Sequence, residues 1–203
     1  MVEPARPAAG IGGLILAGGR GVRMGEADKG WLDLAGRPLV AHVAARLAPQ
    51  VQALLVSANR NADRYAAYGR VVPDAPARAA GAGPLAGVAA GLAAWAGEWL
   101  VTVPCDTPFL PIDLAARLLA AADAASAPLA VACAGGRRHS VCMAVRTALA
   151  ADLDDYLRGG DRKVELWQAR VGAVEVSFDD APQAFLNVNT PEDLGRARGL
   201  TGG

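Results

Sequence analysis

The first glycine-rich loop of the chain has the residue types that bind a polyphosphate. Gly18 and Gly19 directly follow a short apolar run, and Arg20, Arg23 and Lys29 come next. Glycines let backbone N–H groups approach phosphate oxygens without a clash from Cβ, and the cations can neutralise the charge that grows as pyrophosphate leaves. The pattern predicts a nucleotide-phosphate site, with a purely structural surface loop as the alternative.

Two commoner phosphate-binding motifs do not fit this loop. A Rossmann GxGxxG would need a third glycine where Met24 stands, and the GK[ST] sequence of a P-loop is absent from the loop. Dinucleotide-binding Rossmann enzymes and P-loop NTPases are therefore disfavoured.

Asp106 stands at the end of an apolar run, inside the sequence VPCDTP at 103–108, where prolines restrict the chain. Proteins usually hold Mg²⁺ with one or two carboxylates together with substrate phosphates, so a single acid opposite a phosphate loop is sufficient. We interpret Asp106 as a metal ligand. The alternative is that it caps the next helix, although Pro111 and Asp113 stand closer to that start.

Base-reading groups follow two other apolar runs. Asn59 comes after the second run and Asp74 after the third, and a glycine-rich segment follows at 83–87. A carboxylate can accept hydrogen bonds from guanine N1–H and its exocyclic amine, and an amide can address either edge of a base. Ordinary turn formation is the alternative for both residues.

The last motif is FLNVNTPEDL at 185–194, which predicts an extended segment entering a helix with Thr190 as N-cap and Pro191 in the first turn. Asn187 and Asn189 are two residues apart, so their amides would face the same side of a strand, as a ligand-facing pair would. Turn chemistry is again the alternative.

Basic residues also cluster in the second half of the chain. His139 follows the sequence GGRR at 135–138, and Arg162 adjoins Lys163. We expect an anionic substrate group to bind there, with exposed, solvated charge as the alternative. His42 lies in a segment of helical period and is interpreted as a packed or surface residue.

The elements that must position these residues alternate between short apolar runs and segments of helical period. Strands are predicted at 13–17, 53–58, 70–72, 99–103, 129–132, 141–145 and 173–178. Helices are predicted at 38–47, 63–68, 85–95, 112–124 and 148–157. Such strands belong in a mostly parallel, mixed sheet of an α/β protein. Because ligands bind beyond the carboxyl ends of parallel strands, the loops described above should converge on one crevice.

Composition sets wider bounds. The chain has 203 residues, 20 basic and 20 acidic side chains, and three cysteines without a CxxC pair. The balanced charge indicates no nucleic-acid partner, and the cysteines indicate neither a disulfide framework nor a zinc site. We expect a cytoplasmic protein without a membrane partner, because no signal sequence or run of ~20 apolar residues is present. A disordered leader is expected at 1–10 and a single domain at 11–203.

Taken together, these motifs resemble the molybdenum cofactor guanylyltransferase family, with matching segments at 16–29, 57–60, 83–87, 104–111 and 187–193. The resemblance implies a three-layer, Rossmann-like nucleotidyltransferase fold. It implies transfer of GMP from GTP to the terminal phosphate of molybdopterin carrying molybdenum, with Mg²⁺ as cofactor. A GTP-binding half at about 11–110 and a pterin-binding half at about 111–200 would follow, as would transient contacts with pterin-delivering and molybdoenzyme-maturation proteins.

The same resemblance implies roles for particular residues. Those implied to contact the nucleotide are Leu16, Ala17, Gly18, Gly19, Lys29, Asn59, Asp74, Pro84, Leu85 and Asp106. The implied catalytic residues are Lys29, Arg23 and Asp106, and Asp106 is also the implied metal ligand. The pterin side is implied for Asn187, Asn189, His139 and Arg162. One departure is Ser140, since relatives often carry proline after this histidine.

Two other interpretations remain at this stage. Cytidylyltransferases acting on the same pterin usually have Ala-Ala-Gly where this chain has Ala17-Gly18-Gly19, so CTP or another NTP is the alternative donor. A non-catalytic nucleotide-binding regulator would use the same glycine loop. The presence of Asp106 and Lys29 argues against such a regulator.

Overall fold

The computed structural model of the protein describes residues 10–18, 28–74 and 83–201. The strands within these ranges are β1 (Ile11–Leu16), β2 (Asp33–Leu34), β3 (Arg37–Pro38), β4 (Ala53–Ser57), β5 (Arg70–Val72), β6 (Trp99–Pro104), β7 (Leu129–Ala134), β8 (Arg137–Arg146) and β9 (Val174–Ser177). The α-helices are α1 (Leu39–Leu47), α2 (Ala62–Tyr65), α3 (Pro84–Ala94), α4 (Leu114–Ala124), α5 (Ala150–Arg158), α6 (Val164–Arg170) and α7 (Pro191–Thr201). Short 3₁₀ helices occur at Lys29–Trp31, Ala48–Gln50, Thr147–Leu149 and Pro182–Phe185.

The central sheet has seven strands in the order β5-β4-β1-β6-β8-β7-β9. Neighbouring strands are parallel from β5 through β6, and β7 is parallel to β9. Only β8, among the described strands of this sheet, runs antiparallel to both of its neighbours. The prediction of a mostly parallel, mixed sheet in an α/β fold is therefore confirmed. Strands β2 and β3 form a separate antiparallel hairpin.

Helices cover both faces of this sheet. Successive side chains of a strand point to opposite faces, and in β1 Ile15 packs in the same cluster as Val40 and Val43 of α1, while Leu14 packs with Leu85 of α3. Helix α4 lies on the face of α1, and α5 and α6 lie on the face of α3. The sheet and the helices on its two faces therefore form three layers.

Helix α3 packs unusually close to the sheet because glycines replace larger residues on its inner face. A Cβ placed on Gly87 would lie 2.5 Å from Ser57 Oγ, and one on Gly91 would lie 2.5 Å from Leu14 Cδ2. Real Cβ atoms do not approach other atoms this closely. Gly87 therefore brings the first turn of α3 against the carboxyl ends of β1 and β4, and Gly91 brings a later turn against Leu14 in the middle of β1.

A small third cluster fixes the end of the chain. Val188 and Ala197 pack against Leu34 and Leu39, which belong to the β2–β3 hairpin and α1. The predicted start of the last helix is confirmed: the Thr190 hydroxyl accepts a 3.1 Å hydrogen bond from the backbone N–H of Asp193. The Asp193 carboxylate accepts in return from the backbone N–H groups of residues 189 and 190. This capping box holds 186–190 in place beside the hairpin.

Strand β8 is longer than predicted. The sequence predicted a loop up to His139, but Gly135 and Gly136 both have positive φ, +58° and +69°. A two-residue hairpin turn requires this conformation, which glycine adopts without steric cost. The turn is therefore complete after Gly136, and Arg137 already belongs to β8.

Other differences concern short or irregular elements. The predicted helix at 63–68 is reduced to Ala62–Tyr65, and the helix predicted from 112 begins at Leu114. The β2–β3 hairpin and helix α6 were not predicted from the sequence. Both are short, and α6 shows its helical period in only three buried positions, Val164, Trp167 and Gln168. In the described part of the chain, no helix has the length and apolar character needed to span a membrane.

Candidate active site

The predicted ligand residues converge because four neighbouring strands end in register. Their paired end residues are Val72, Ser57, Leu16 and Pro104. Each of these strands is followed, two positions after its end residue, by a predicted ligand residue. These are Asp74 after β5, Asn59 after β4, Gly18 after β1 and Asp106 after β6. The shared register therefore places four loops, distant in sequence, at one edge of the sheet, as predicted.

Asn59 and Asp74 form a reciprocal pair in this crevice. The Asn59 Nδ2 donates to Asp74 Oδ2 at 2.8 Å, and the Asp74 backbone N–H donates to Asn59 Oδ1 at 2.9 Å. The Ser57 hydroxyl donates to Asp74 Oδ1 at 3.2 Å. A Cβ on Gly18 would lie 3.5 Å from Asn59 Nδ2, so this pair faces the glycine loop. A carboxylate oxygen can accept more than one hydrogen bond, so Asp74 can still accept from a base.

Lys29 lies in the 3₁₀ helix Lys29–Trp31 and reaches across the crevice. Its Nζ donates a hydrogen bond to Asn189 Oδ1 and lies 3.6 Å from Asp106 Oδ2. The exposed fractions of the Lys29 and Asp106 side chains are 23% and 15%. Lys29 is thus a largely enclosed residue paired with the predicted metal ligand, and it is not a freely solvated loop lysine.

The backbone on both sides fixes the position of Asp106. The Cys105 N–H donates to Leu16 O at 3.1 Å, and the Val188 N–H donates to Asp106 O at 2.8 Å. Asp106 does not cap α4, because Asp113 is the residue at that helix start. The capping alternative is therefore wrong.

The Asp106 carboxylate has an unusual electrostatic environment. Burial raises the pKa of Asp106 above its ordinary value, and the nearby Lys29 opposes this effect. Its Oδ1 is buried and has no hydrogen-bond partner among the described residues. An unpaired buried carboxylate oxygen is costly unless a cation or donor satisfies it.

A divalent cation of the Mg²⁺ type fits this carboxylate. The described residues contain no group of three or more His, Cys, Asp and Glu side chains that could form a metal cage. Mg²⁺ does not need one, since it commonly binds one or two carboxylates and takes its other ligands from substrate phosphates and water.

The amides of the C-terminal segment face this group, as predicted, although 186–189 is not a strand. Asn189 accepts from Lys29, and Asn187 Oδ1 accepts from the Thr107 hydroxyl at 2.7 Å. Val188, between them, points the other way into the small third cluster. The segment is therefore attached directly to the Lys29–Asp106 pair.

The side chains of three predicted nucleotide contacts are wholly or partly buried. The Leu85 side chain is fully buried on the α3 face of the sheet, and Ala17 is also buried. The Leu16 side chain packs in the same cluster as Leu85. Pro84, in contrast, is exposed at the first position of α3, after Gly83 with φ +59°.

His139 and Arg162 are not joined to the Lys29–Asp106 pair by any contact in the described part of the chain. The His139 ring stacks on Phe185 at 4.5 Å, and burial lowers the pKa of His139. Because β8 runs antiparallel to β6, His139 nevertheless lies toward the edge of the sheet that holds Asp106. The Arg162 guanidinium donates to Leu157 O at 2.6 Å, at the end of α5.

Of the other basic residues, Arg138 forms an ion pair with Glu175 at 2.5 Å and is therefore not a free phosphate ligand. His42 contacts Leu34 O at 2.8 Å, which fits its interpretation as a packed residue. Gly19, Arg20 and Arg23 lie outside the described residues, as do residues 1–9 of the leader expected at 1–10.

Sequence reasoning missed two polar residues of the site. Ser57 has the signal that could have found it, because it lies at the end of an apolar strand two residues before Asn59. Thr107 is fully buried, and its hydroxyl contacts a residue near the other end of the chain. No local pattern could have identified that contact.

Comparison with known proteins gives a consistent result. The sequence profile of the MobA-like NTP transferase domain matches residues 13–172. The chain is 48% identical over 200 residues to a molybdenum cofactor guanylyltransferase of Burkholderia ambifaria strain MC40-6, covering 94% of this chain and 96% of the relative. It is 43% identical over 183 residues to that of Shewanella halifaxensis, covering 90% of each chain.

Solved structures share the fold. The crystal structure of molybdopterin-guanine dinucleotide biosynthesis protein A from Archaeoglobus fulgidus superposes with a TM-score of 0.78 at 22% identity, covering 94% of this chain and 98% of that one. At this identity the likeness concerns the fold alone.

Proposed function

Because this chain belongs to the family of the MobA-like NTP transferase domain, we propose that it transfers GMP from GTP to molybdopterin. The acceptor is the terminal phosphate of molybdopterin carrying molybdenum, and the products are the guanine dinucleotide cofactor and pyrophosphate. One observation carries this proposal. Gly18, Asn59, Asp74 and Asp106 each lie two positions after the paired end residues of four neighbouring strands, and Lys29 lies beside Asp106.

The reaction needs no covalent intermediate with the protein. An oxygen of the acceptor phosphate attacks the α-phosphorus of GTP, a new P–O bond forms, and the bond to the β-phosphate breaks. Catalysis of such a displacement depends on positioning the two phosphates and on stabilising the negative charge of the leaving pyrophosphate. The residues at this edge of the sheet can supply both the positioning and the charge stabilisation.

Base recognition falls to the Asn59–Asp74 pair. Two hydrogen bonds hold Asn59 and Asp74 against each other, so little side-chain order has to be gained when a base binds. Guanine presents N1–H and an exocyclic amine, and the Asp74 carboxylate is a suitable acceptor for these donors. The first turn of α3, beginning at Pro84, lies beside Ser57 and Leu16 at the carboxyl ends of β4 and β1.

Lys29 and Asp106 would act on the phosphates. The ammonium of Lys29 is a point charge that can neutralise the developing charge on the leaving group. Asp106 would hold Mg²⁺ through its unpartnered Oδ1, and bound Mg²⁺ would polarise the phosphates and neutralise part of their charge. Arg23 is assigned a supporting cationic role by the family resemblance.

The pterin is assigned to the second half of the chain, about 111–200, and GTP to about 11–110. Asn187 and Asn189 support this division, because they come from the second half and lie against Thr107 and Lys29 of the first. His139 lies toward the same edge of the sheet and is a weaker candidate contact. Arg162 can contact the pterin only after the hydrogen bond that it donates to Leu157 O, at the end of α5, breaks. Transient contacts with cytoplasmic proteins that deliver the pterin and accept the product belong to the same proposal.

A donor competition tests the function. The purified protein is incubated with Mg²⁺, molybdopterin loaded with molybdenum, and GTP, CTP, ATP or UTP separately, and the products are identified by mass. We expect the guanine dinucleotide and pyrophosphate as the main products.

Two results would change the assignment. Equal or better turnover with CTP would make the chain a cytidylyltransferase. Binding of GTP without any dinucleotide, when a loaded acceptor is present, would indicate a nucleotide-binding regulator.

A further inference from the structure

The residue before Lys29 is held by three hydrogen-bond donors. Asp28 Oδ1 accepts from the Tyr65 hydroxyl at 2.5 Å and from the Gly30 backbone N–H at 3.3 Å. Asp28 Oδ2 accepts from Asn61 Nδ2 at 2.9 Å. These bonds fix the backbone on both sides of Lys29, since Asp28 precedes it and Gly30 follows it.

The packing around the hydrogen bond between Tyr65 and Asp28 requires particular residues. Tyr65 is fully buried, and burial together with its bond to Asp28 raises the pKa of Tyr65 above its ordinary value. A phenol is protonated at neutral pH, so the Tyr65 hydroxyl can donate to Asp28. A Cβ on Gly30 would lie 2.3 Å from the Tyr65 hydroxyl oxygen, so only glycine fits opposite it. Trp31 packs against the Tyr65 ring, with the two ring centroids 5.2 Å apart.

Asn61 has a backbone conformation that serves this bond. It lies in the left-handed region, with φ 52° and ψ 33°, immediately before α2. Asparagine tolerates this region better than most residues. Asparagine at this position commonly caps the following helix with its side chain. The Asn61 side chain makes no such cap and donates instead to Asp28.

The same segment also carries the base-reading group. Asn59 bonds Asp74, and two residues later Asn61 bonds Asp28. Residues 59–65 therefore connect the base side of the crevice with the backbone that carries the phosphate-side lysine.

We propose that Asp28 is a positioning residue that fixes Lys29 beside Asp106, and that Asn61 and Tyr65 anchor Asp28 to the base-reading segment. This inference rests on the proposed function and adds residues to which the comparisons assign no role. A lysine side chain is long and flexible, so a fixed backbone limits where its ammonium can lie. Misplacement by about 1 Å can cost on the order of 10²-fold in rate.

Tyr65→Phe tests the anchor with the smallest change, because it removes only the hydroxyl. We expect kcat for GMP transfer to fall by about tenfold, which is what losing one hydrogen bond to a charged group costs, with little change in the KM for GTP. Tyr68→Phe is the matched control. Tyr68 packs on the same Trp31 ring at 6.0 Å, and its hydroxyl has no hydrogen bond within the described ranges.

A double-mutant cycle distinguishes positioning from a general structural effect. If Tyr65 acts through Lys29, Tyr65→Phe should cause no further loss of kcat in a Lys29→Ala protein. The same tenfold loss in both backgrounds would overturn the proposal. Asn61→Gly keeps access to the left-handed region but loses the amide, so it should also lower kcat. Parental kcat in Asn61→Gly would exclude a role for that amide.

A measurement without catalysis separates this inference from the proposed function. Hydrogen exchange of the Gly30 amide, which Asp28 protects, should be faster in Tyr65→Phe than in the parent and unchanged in Tyr68→Phe. Unchanged exchange in Tyr65→Phe would refute the anchor even if GMP transfer is confirmed. Faster exchange in a parent protein that transfers no GMP would instead refute only the proposed function.

Discussion

The Lys29 ammonium and the Asp106 carboxylate lie 3.6 Å apart, one from the loop after β1 and the other from the end of β6. Both side chains are largely enclosed, so salt screens their interaction less than it screens a surface ion pair. Removing one partner of such a pair leaves the other charge uncompensated. The pair therefore couples the stability of the folded protein to two of its proposed catalytic groups.

Asp106→Asn should abolish most GMP transfer while the protein stays folded. Loss of an electrostatic interaction of ~3–4 kcal/mol would slow the reaction by about 10²–10³-fold, and added Mg²⁺ should restore little activity. Steady-state kinetics and circular dichroism measure the two effects. Asp113→Asn is the control, because Asp113 is an exposed acid at the start of α4 and should leave the rate unchanged. Near-parental transfer by folded Asp106→Asn would refute the metal-ligand role.

Lys29→Ala should lower kcat and also lower the melting temperature of the ligand-free protein. The stability effect arises because the enclosed Asp106 loses its cation, at a cost of about 1–3 kcal/mol. The double variant Lys29→Ala/Asp106→Asn should regain stability but not activity. Arg198→Ala removes an exposed cation in the last turn of α7 and serves as the control for both measurements. If Lys29→Ala melts like the parent, the pair contributes nothing to folding.

Asp74→Asn should reduce the preference for guanine. Inosine triphosphate lacks the exocyclic amine of guanine, so the ratio of kcat/KM values for GTP and ITP measures recognition of that amine. We expect the parent to favour GTP by about tenfold or more, and Asp74→Asn to bring the ratio close to one. An unchanged ratio would show that Asp74 only supports Asn59.

His139 should titrate below the ordinary histidine pKa of about 6.5, because burial disfavours its charged form and Arg137 adds to this effect. In the window between the folded pKa and about 6.5, the unfolded chain binds more protons than the folded one. Stability should therefore fall as pH falls through this window and stay constant with respect to His139 above it.

Proton NMR can test this directly, since the chain has only two histidines. The imidazole resonance missing from His139→Gln identifies His139, and its midpoint should lie below about 6.5. In His139→Gln the pH dependence of the melting temperature should be flatter in the same window. A midpoint at or above 6.5 would contradict the buried environment beside Phe185.

The sequence alone determined the order of the main elements and the chemistry of the loops. Apolar runs of strand length, separated by segments of helical period, predict a parallel sheet, and parallel strands expose their following loops at one edge. That was enough to place Gly18, Asn59, Asp74 and Asp106 together. Local capping preferences were also sufficient to predict Thr190 at the start of α7, because the bonds involved span only a few residues.

Contacts between distant segments required the tertiary structure. Lys29 with Asn189, Thr107 with Asn187, and Asp28 with Tyr65 depend on strand order, register and rotamers, none of which leaves a periodic trace in the sequence. Periodicity indicates which face a side chain occupies but does not identify its partner. The sequence could therefore predict the glycine-rich loop as a phosphate site. Only the folded chain showed how Lys29 is held against the carboxylate of Asp106, which follows β6.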